Sequence, residues 1–299
     1  MKRWQYVIAI LILIWLIGFA LSKLFANTPI DEDQILIIPI KGIISMSDSD
    51  SPLIASTTNV DVILTSLKKA KENKNIKAVV LEINSPGGTV VASKEVADAV
   101  KDFDKPIVAL IREVGASGAY WIASSADKIV ADELSITGSI GVISSYLEFS
   151  KLMEEYGITY ESLVSGRYKD LGSPFKELTS EERNILQSKI NKIHQVFLRE
   201  VKENRNLTST KEIETGIFLL GVEAKNLGLI DVLGNKEKAI ELAKELSNIK
   251  EAKIVEFKEK RTFFDLISKF ASYNSYYIGL GIGDKIISSK QDNLQINVL

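Results

Sequence analysis

The sequence lacks cysteine altogether and contains a single histidine, His194, among its 299 residues. Without cysteine there can be no disulfide framework, no thiolate metal site and no cysteine nucleophile. One histidine cannot build a multi-histidine zinc site. A hydrolase of the Ser-His-Asp type would depend on His194 alone, so any other hydrolase built on this sequence must take its general base from a lysine or a carboxylate.

The sequence also lacks an excess of charge of either sign. Its 37 basic and 39 acidic residues give a net charge of −2, whereas proteins that bind nucleic acid usually carry a basic face. We therefore expect no nucleic-acid partner. The length corresponds to about two domains at most and is enough to bury a sizeable core.

The N-terminal region contains an uncharged run from Trp4 to Ser22, which is 19 residues long. A helix needs roughly 20 apolar residues to cross a bilayer. Lys2 and Arg3 precede the run and acidic residues follow it at 31–33, so the positive-inside rule predicts a single-pass cell-membrane protein with its N-terminus in the cytoplasm and the rest outside. The alternative is a cleaved signal peptide. We favour an anchor, because the run is long for a signal peptide and Leu24-Phe25-Ala26 begins with a large residue.

Alternating apolar strands and helices follow a loop-like region at 45–59. Short apolar or β-branched runs predict strands, and residues at helical spacing predict helices. The predicted strands are Ile35–Ile40, Ile76–Ile83, Pro106–Ile111, Lys128–Ala131 and Ile140–Ser144, and the predicted helices are Val60–Lys71, Thr89–Phe103 and Ala119–Ala126. This alternation predicts an α/β protein with a parallel sheet covered on both faces.

Two further helices are predicted towards the C-terminus. Thr179 followed by acidic residues is a typical helix start, and an apolar stripe continues to Val201. Residues 236–247 form another amphipathic pattern. The alternating glycines at Gly279–Gly283 resemble a phosphate-binding turn superficially, but no strand-turn-helix pattern surrounds them, so we expect a flexible segment.

Two glycine-rich turns each follow a predicted buried strand and precede a predicted helix. One contains Gly87-Gly88 and the other Gly115-Ala116-Ser117-Gly118-Ala119. Such turns leave backbone amides free at a helix start, where they suit a developing oxyanion, and they expose a serine on a sharp corner. Strand-to-helix turns also contain glycine and serine for conformational reasons alone, so either turn by itself is weak evidence for catalysis.

A serine nucleophile needs a base, and His194 is a weak candidate. It lies within the predicted helix that starts at Thr179, beside apolar residues, as an ordinary helix residue near a packed face would. We expect it to be a bystander. A Ser-Lys pair is the remaining economical arrangement, but spacing alone cannot choose among the lysines, most of which are surface groups in any protein.

Four sequence blocks together resemble the signature blocks of the signal peptide peptidase A family. The resemblance runs from about residue 35 to about 245, and four blocks in the right order make it specific. The blocks are Asn84-Ser85-Pro86-Gly87-Gly88, Gly115-Ala116-Ser117-Gly118-Ala119-Tyr120, Thr137-Gly138-Ser139-Ile140-Gly141-Val142 and Ser165-Gly166-Arg167-Tyr168-Lys169-Asp170-Leu171-Gly172-Ser173-Pro174.

The resemblance implies a membrane-anchored serine protease with a Clp-protease/crotonase-like fold and a Ser-Lys dyad. By motif, Ser117 would be the nucleophile, Lys169 the general base, and Ser139 a hydrogen-bond partner that holds the lysine. The amides of Gly88 and Gly118 would form the oxyanion hole, and Gly87 would shape its loop. Arg167 differs from the lysine typical of its block but lies off the catalytic position. Without the resemblance, Ser139 could cap a following strand and Lys169 could be a surface lysine.

The resemblance also implies an organisation and a set of partners. We expect an anchor over 1–26, a linker over 27–34, the catalytic domain over 35–250 and an extension over 251–299. The length matches the short, single-copy form of the family, whose protomers form a homo-oligomeric ring or dome with the dyad shared between neighbours. The implied substrates are remnants of cleaved signal peptides and other membrane-associated peptides, with no cofactor and no metal.

Three other readings of the sequence remain open. A related Ser-Lys membrane protease could act on a stomatin-type membrane protein. A crotonase-like acyl-CoA enzyme would use similar amides without a serine nucleophile, but a domain outside the cytoplasm would be separated from CoA. A tethered scaffold that has kept the fold without activity would not need Ser117, Lys169 and Ser139.

Overall fold

Parallel strands form the centre of this protein, in a computed structural model that describes residues 3–26, 32–47 and 57–257. The strands are β1 (Gln34–Lys41), β2 (Ile43–Ser45), β3 (Thr57–Asn59), β4 (Ile76–Ser85), β5 (Ile107–Ala116), β6 (Lys128–Ala131), β7 (Ile136–Gly138), β8 (Phe218–Leu220), β9 (Val232–Leu233) and β10 (Lys253–Glu256). The main sheet has the order β10-β1-β4-β5-β6-β9, with every pair parallel. β7 pairs in parallel with the end of β5 and antiparallel with β8, and β2 and β3 form a small second sheet.

Successive residues of the central strands face opposite sides of the main sheet, as the pleat requires. In β1, Ile35 and Ile37 belong to one buried cluster with Ala239 and Ala243 of a C-terminal helix. The intervening Leu36, Ile38 and Ile40 belong to the larger cluster on the other face. Both faces are therefore covered, which explains why these strands are nearly continuous runs of aliphatic residues.

Eight helices occur in the described part of the chain. They are α1 (Arg3–Ala26), α2 (Val60–Glu72), α3 (Val90–Lys101), α4 (Gly118–Ser124), α5 (Ser150–Glu155), α6 (Ser180–Asn204), α7 (Gly221–Asn226) and α8 (Lys236–Ser247). The predicted start of α6 has a capping box, in which Thr179 Oγ1 accepts from the Glu182 amide and the Glu182 carboxylate accepts from the Thr179 amide. Helices α2, α3, α4 and α6 contribute to the larger core, whereas α8 covers the opposite face.

The predicted α/β alternation is confirmed, with one wrong strand. Ile140–Ser144 does not form a strand, because the chain turns sharply at Gly138 (φ 70°) and Ser139 (φ 49°) and leaves the sheet there. The strand of this region is β7, which lies before the turn. The predicted loop at 45–59 overlaps β2 and β3 at its ends, and its centre, 48–56, lies outside the described residues.

The N-terminal prediction falls on α1, which covers Arg3–Ala26. Across the described residues, no helix reaches the length and apolar character that crossing a membrane requires. The anchor therefore stays a prediction, as do the proposed domain boundaries. The main sheet extends to Glu256 through β10. The glycines at 279–283 lie outside the described residues.

Candidate active site

The ends of three adjacent strands bring the predicted site residues together. β4 leads into Gly87 and Gly88, β5 into Ser117, and β7 into Ser139. Because β5 pairs in parallel with both β4 and β7, the carboxyl ends of all three strands lie at the same edge of the sheet. This is the edge at which open α/β sheets place their ligands.

Ser117 occupies a strained corner between β5 and α4. Its φ of 53° and ψ of −125° are rare for a residue with a side chain. The corner is held by its own backbone, since the Ser117 amide donates to Gly138 O at 2.8 Å and Ser117 O accepts from the Trp121 amide at 3.0 Å. The side chain is half-buried, and its Oγ has no hydrogen-bond partner among the described residues. A free hydroxyl on a sharp strand-to-helix turn is the arrangement of a nucleophile elbow.

Gly88 presents an amide that the surrounding backbone leaves unused. Gly88 forms a parallel bridge with Ile44, but the two hydrogen bonds of this bridge are made by Gly87 and Thr89, the residues on either side of Gly88. The Ile44 amide donates to Gly87 O at 3.0 Å, and Ile44 O accepts from the Thr89 amide at 3.0 Å. The amide of Gly88 itself has no backbone partner in the described chain.

Gly118 supplies a second free amide, because it is the first residue of α4 and has no carbonyl four residues before it within the helix. The two glycine loops are in close contact. A Cβ placed on Gly87 would lie 2.8 Å from the Gly118 nitrogen and 3.0 Å from Ser117 Cβ. Gly87 also has a φ of 104°, so its backbone and its surroundings both require glycine.

Ser139 lies on the same cleft as Ser117, Gly88 and Gly118. Its φ is 49°, and its amide donates to Ile217 O at 3.0 Å. Its hydroxyl donates to Gly216 O at 3.2 Å, which fixes the side chain beside the cleft. Ser139 does not cap a following strand, because no strand follows it before α5.

Lys169 is the one predicted site residue that the structure does not bring to this cleft. It lies in a turn, where its amide donates to Gly166 O at 3.0 Å, and its side chain is exposed. Its Nζ makes no hydrogen bond or ion pair with any described residue. The cleft of about 580 Å³ around Ser117 is lined by other residues.

Lys169 belongs to an extended segment, residues 143–178, which we call the arm. No residue from 141 to 181, all of which the structure describes, is buried. Apolar side chains on the arm are nevertheless numerous and exposed, including Ile143, Leu147, Leu152, Tyr156, Ile158 and Leu163. The arm therefore combines an exposed backbone path with several exposed large apolar side chains.

A charged cluster connects the C-terminal part of the arm to α6. Lys176 Nζ lies 2.9 Å from Asp170 Oδ1 and 2.8 Å from Glu182 Oε1, and Ser162 Oγ donates to Asp170 at 3.1 Å. The hydrogen bond from Lys176 is the largest cause that lowers the pKa of both carboxyl groups. The hydrogen bond to Glu182, followed by that to Asp170, raises the pKa of Lys176. Asp170 directly follows Lys169, so this cluster restrains the predicted base through its neighbour.

Comparison with known proteins identifies the family. The model of the family described as Peptidase family S49 matches residues 99–250, and that of Clp protease matches residues 52–132. A protein of Enterococcus faecium, named provisionally as signal peptide peptidase SppA, is 34% identical over 236 residues, which are 77% of this chain and 69% of that protein. This chain belongs to peptidase family S49, the signal peptide peptidase A family.

One more relative of this S49 peptidase agrees with that assignment, and a solved structure shares its fold. The chloroplastic serine protease SPPA of Arabidopsis thaliana is 32% identical over 81% of this chain and 37% of its own length. A structure of a membrane-bound stomatin-specific protease with a substrate peptide matches with a TM-score of 0.51 at 13% identity, over 80% of this chain and 98% of that one. The structural match shows the fold, and the family shows that the chain is a serine peptidase.

Residues that the sequence did not single out also line the cleft of this S49 peptidase. Trp121 and Phe197 stack with ring centroids 4.4 Å apart and lie behind the cleft surface, where both are buried. His194, which we expected from the sequence to be a bystander, also lines the cleft, and its Nε2 is 3.0 Å from Ile140 O. Ser93 of α3 lies beside Gly118. A serine at the same helical spacing as Val96, Ala97 and Val100 was the available sequence signal for Ser93.

Within the ranges that the structure describes, no group of three or more His, Cys, Asp or Glu residues is placed to hold a metal ion.

Proposed function

We propose that this serine peptidase is an endopeptidase that uses a Ser117–Lys169 dyad. The observation that carries the proposal is the corner at Ser117, where a free hydroxyl lies beside two unused amides at the carboxyl edge of the sheet. Such a corner supplies a nucleophile and stabilises the negative charge that forms when it attacks a carbonyl. An acyl-CoA enzyme of similar fold would have no use for the strained serine.

The proposed reaction begins with transfer of the Ser117 proton to the neutral amine of Lys169 as Oγ attacks the scissile carbonyl carbon. The tetrahedral oxyanion accepts hydrogen bonds from the amides of Gly88 and Gly118. Lys169 then gives the proton to the leaving amine, and the peptide bond breaks. Lys169 next takes a proton from water as that water attacks the acyl-enzyme, and it returns the proton to Ser117 Oγ as the ester bond breaks and the acid product leaves. Ser139 orients the lysine amine through its hydroxyl.

We propose further that the dyad forms between neighbouring chains of a ring or dome. A lysine acts as a base only in its neutral form, and removal of water favours that form. Lys169 is exposed in the single chain and lies on the arm, whose apolar side chains are exposed too. Packing of the arm against a neighbour would cover this surface and bring Lys169 to the neighbour's Ser117.

The proposed substrates are membrane-derived peptides, foremost the remnants of cleaved signal peptides. The accessible apolar side chains of Val142, Ile143 and Ile190, which line the cleft, support an apolar peptide as substrate. We also propose that Trp4–Ser22 anchors the chain in the cell membrane, with the catalytic domain outside the cytoplasm. The uncharged sequence supports this location, and an anchor would hold the site near such peptides.

Separate replacement of Ser117 and Lys169 by alanine tests the dyad. Either variant should lose up to about 10⁶-fold in kcat on a peptide substrate, because a catalytic pair acts as a unit. A fluorophosphonate probe should label Ser117 in the wild type and not in Ser117→Ala. Lys151→Ala is the matched control, since Lys151 is another exposed arm lysine, and it should keep full activity. Full activity in Lys169→Ala would refute the dyad.

A further inference from the structure

Ser93 carries a hydroxyl that the folded chain leaves without a partner. It lies in α3 and is fully buried. Its Oγ is the one buried side-chain polar atom in the described residues that makes no hydrogen bond. Folded proteins rarely leave a buried polar group unpaired, because the group loses its water and gains nothing in return.

Other serines in helices of this protein satisfy their hydroxyls within the helix. Ser66 Oγ donates to Val62 O at 2.5 Å, Ser124 Oγ to Trp121 O at 2.7 Å, and Ser247 Oγ to Ala243 O at 2.5 Å. This bond to a preceding carbonyl is the usual one for a serine inside a helix. Ser93 has the same opportunity, since Thr89 O lies one turn earlier and already accepts from the Ser93 amide at 3.0 Å. The Ser93 hydroxyl nevertheless makes no hydrogen bond to Thr89 O.

The Ser93 hydroxyl instead lies against the proposed oxyanion hole. A Cβ on Gly118 would overlap Ser93 Oγ, so this oxygen occupies the space beside the Gly118 α-carbon. The Gly88 nitrogen lies 3.4 Å from the position that this added Cβ of Gly118 would take. Two donors that each lie about 2.9 Å from the same oxygen atom can be at most about 5.8 Å from each other. Ser93 Oγ and the amides of Gly88 and Gly118 are therefore close enough to serve one oxygen atom.

We propose that the Ser93 hydroxyl is a third hydrogen-bond donor to the oxyanion of the tetrahedral intermediate. The proposal rests on the proposed function, because it needs the oxyanion that attack by Ser117 creates. Ser93 is among the residues that line the cleft, and its unpaired hydroxyl gives up no existing hydrogen bond when charge develops there. Its hydrogen bond forms only in the transition state, so it should raise kcat and leave substrate binding nearly unchanged.

The variant Ser93→Ala tests this role, because its effects on activity and stability should have opposite signs. We expect kcat on a peptide substrate to fall about 10- to 100-fold, with KM changed less than about two-fold. We expect the melting temperature to rise by about 2–4 °C, because the variant removes an unpaired buried hydroxyl. An unchanged kcat with a raised melting temperature would overturn the proposal.

Two further variants separate this role from a structural one. Ser66→Ala is the matched control, since Ser66 is also a buried helical serine but is hydrogen-bonded, and it should keep kcat without gaining stability. Ser93→Cys keeps the shape of the side chain with a somewhat larger atom and a weaker donor, and it should give an intermediate kcat. A kcat for Ser93→Cys no higher than that of Ser93→Ala would contradict a donor role. Labelling of Ser117 by the fluorophosphonate probe, measured in parallel, reports on the proposed function independently of Ser93.

Discussion

Gly87 shows how a single residue sets the geometry of the site. It has a φ of 104°, and an added Cβ would lie 2.8 Å from the Gly118 nitrogen. We predict that Gly87→Ala lowers kcat by about 10²-fold or more, because the loop must move away from the nucleophile corner and take an oxyanion donor with it. Steady-state kinetics and the rate of fluorophosphonate labelling would both measure the loss.

Gly157 offers a control for backbone strain alone. Its φ is 67°, and an added Cβ would meet nothing within 4 Å. Gly157→Ala should therefore lower the melting temperature modestly, as alanine does at a positive φ, and keep kcat. Equal losses of activity in the two glycine variants would mean that strain, and not the close approach at Gly87, explains the effect.

At the scale of elements, the sequence correctly predicts those strands and helices whose formation depends on a few neighbouring residues. The aliphatic runs of β1, β4 and β5 and the cap at Thr179 are signals contained in a few neighbouring residues. The apolar run Ile140–Ser144 has the same composition as a strand but lies beyond the turn at Ser139, where no partner strand is available. Pairing depends on distant parts of the chain, which a local pattern does not contain.

The candidate site divides in the same way. Turn chemistry after predicted strands indicated Ser117 and the glycines, whereas Ser139 came from the family resemblance alone, because β7, the strand that it follows, was not predicted. The unpaired state of Ser93 was not predictable, because it depends on how close α3 lies to Gly118. The separation of Lys169 from the cleft was not predictable from spacing either, since it depends on the path of the whole arm.

The charged cluster in the C-terminal part of the arm should make arm stability depend on pH. The pKa values of Asp170 and Glu182 are lowered from 3.8 and 4.5 by the hydrogen bonds from Lys176. A carboxyl group whose pKa is lowered by folding stabilises the folded state at pH values above its unfolded pKa. This contribution disappears as the pH falls through the lowered pKa of the folded state. We predict that Lys176→Met lowers the melting temperature at about pH 7 and that the difference from wild type narrows towards about pH 3.

Thermal melts across this pH range would measure the effect, together with kcat at neutral pH. Lys176→Met should also reduce kcat, since Asp170 and its neighbour Lys169 lose their restraint. Lys151→Met is the control, because the partner of Lys151 is the exposed Glu177 and surface pairs contribute little. A melting difference that stays constant with pH would contradict the assigned role of the cluster.

At the scale of the whole molecule, one chain contains both halves of the proposed dyad but does not join them. Ser117 lies in the cleft, whereas Lys169 is exposed on the arm. The arm also exposes large apolar side chains, with Ile143 and Leu163 exposed to 90% and 91%. A head-to-tail interface that covers the arm would form a closed ring if the rotation between neighbours allows it.

A mixing experiment distinguishes a shared dyad from one formed within a chain. Ser117→Ala and Lys169→Ala are each expected to be inactive, but the first retains the lysine and the second the serine. If the dyad is shared, equal amounts that exchange freely should recover about a quarter of wild-type activity, because a site works only when a serine chain precedes a lysine chain. If each chain completes its own dyad, no mixture recovers activity. Co-expression of the two variants ensures mixed assemblies, and co-expression of Ser117→Ala with the double variant provides the background, because that pair supplies no serine.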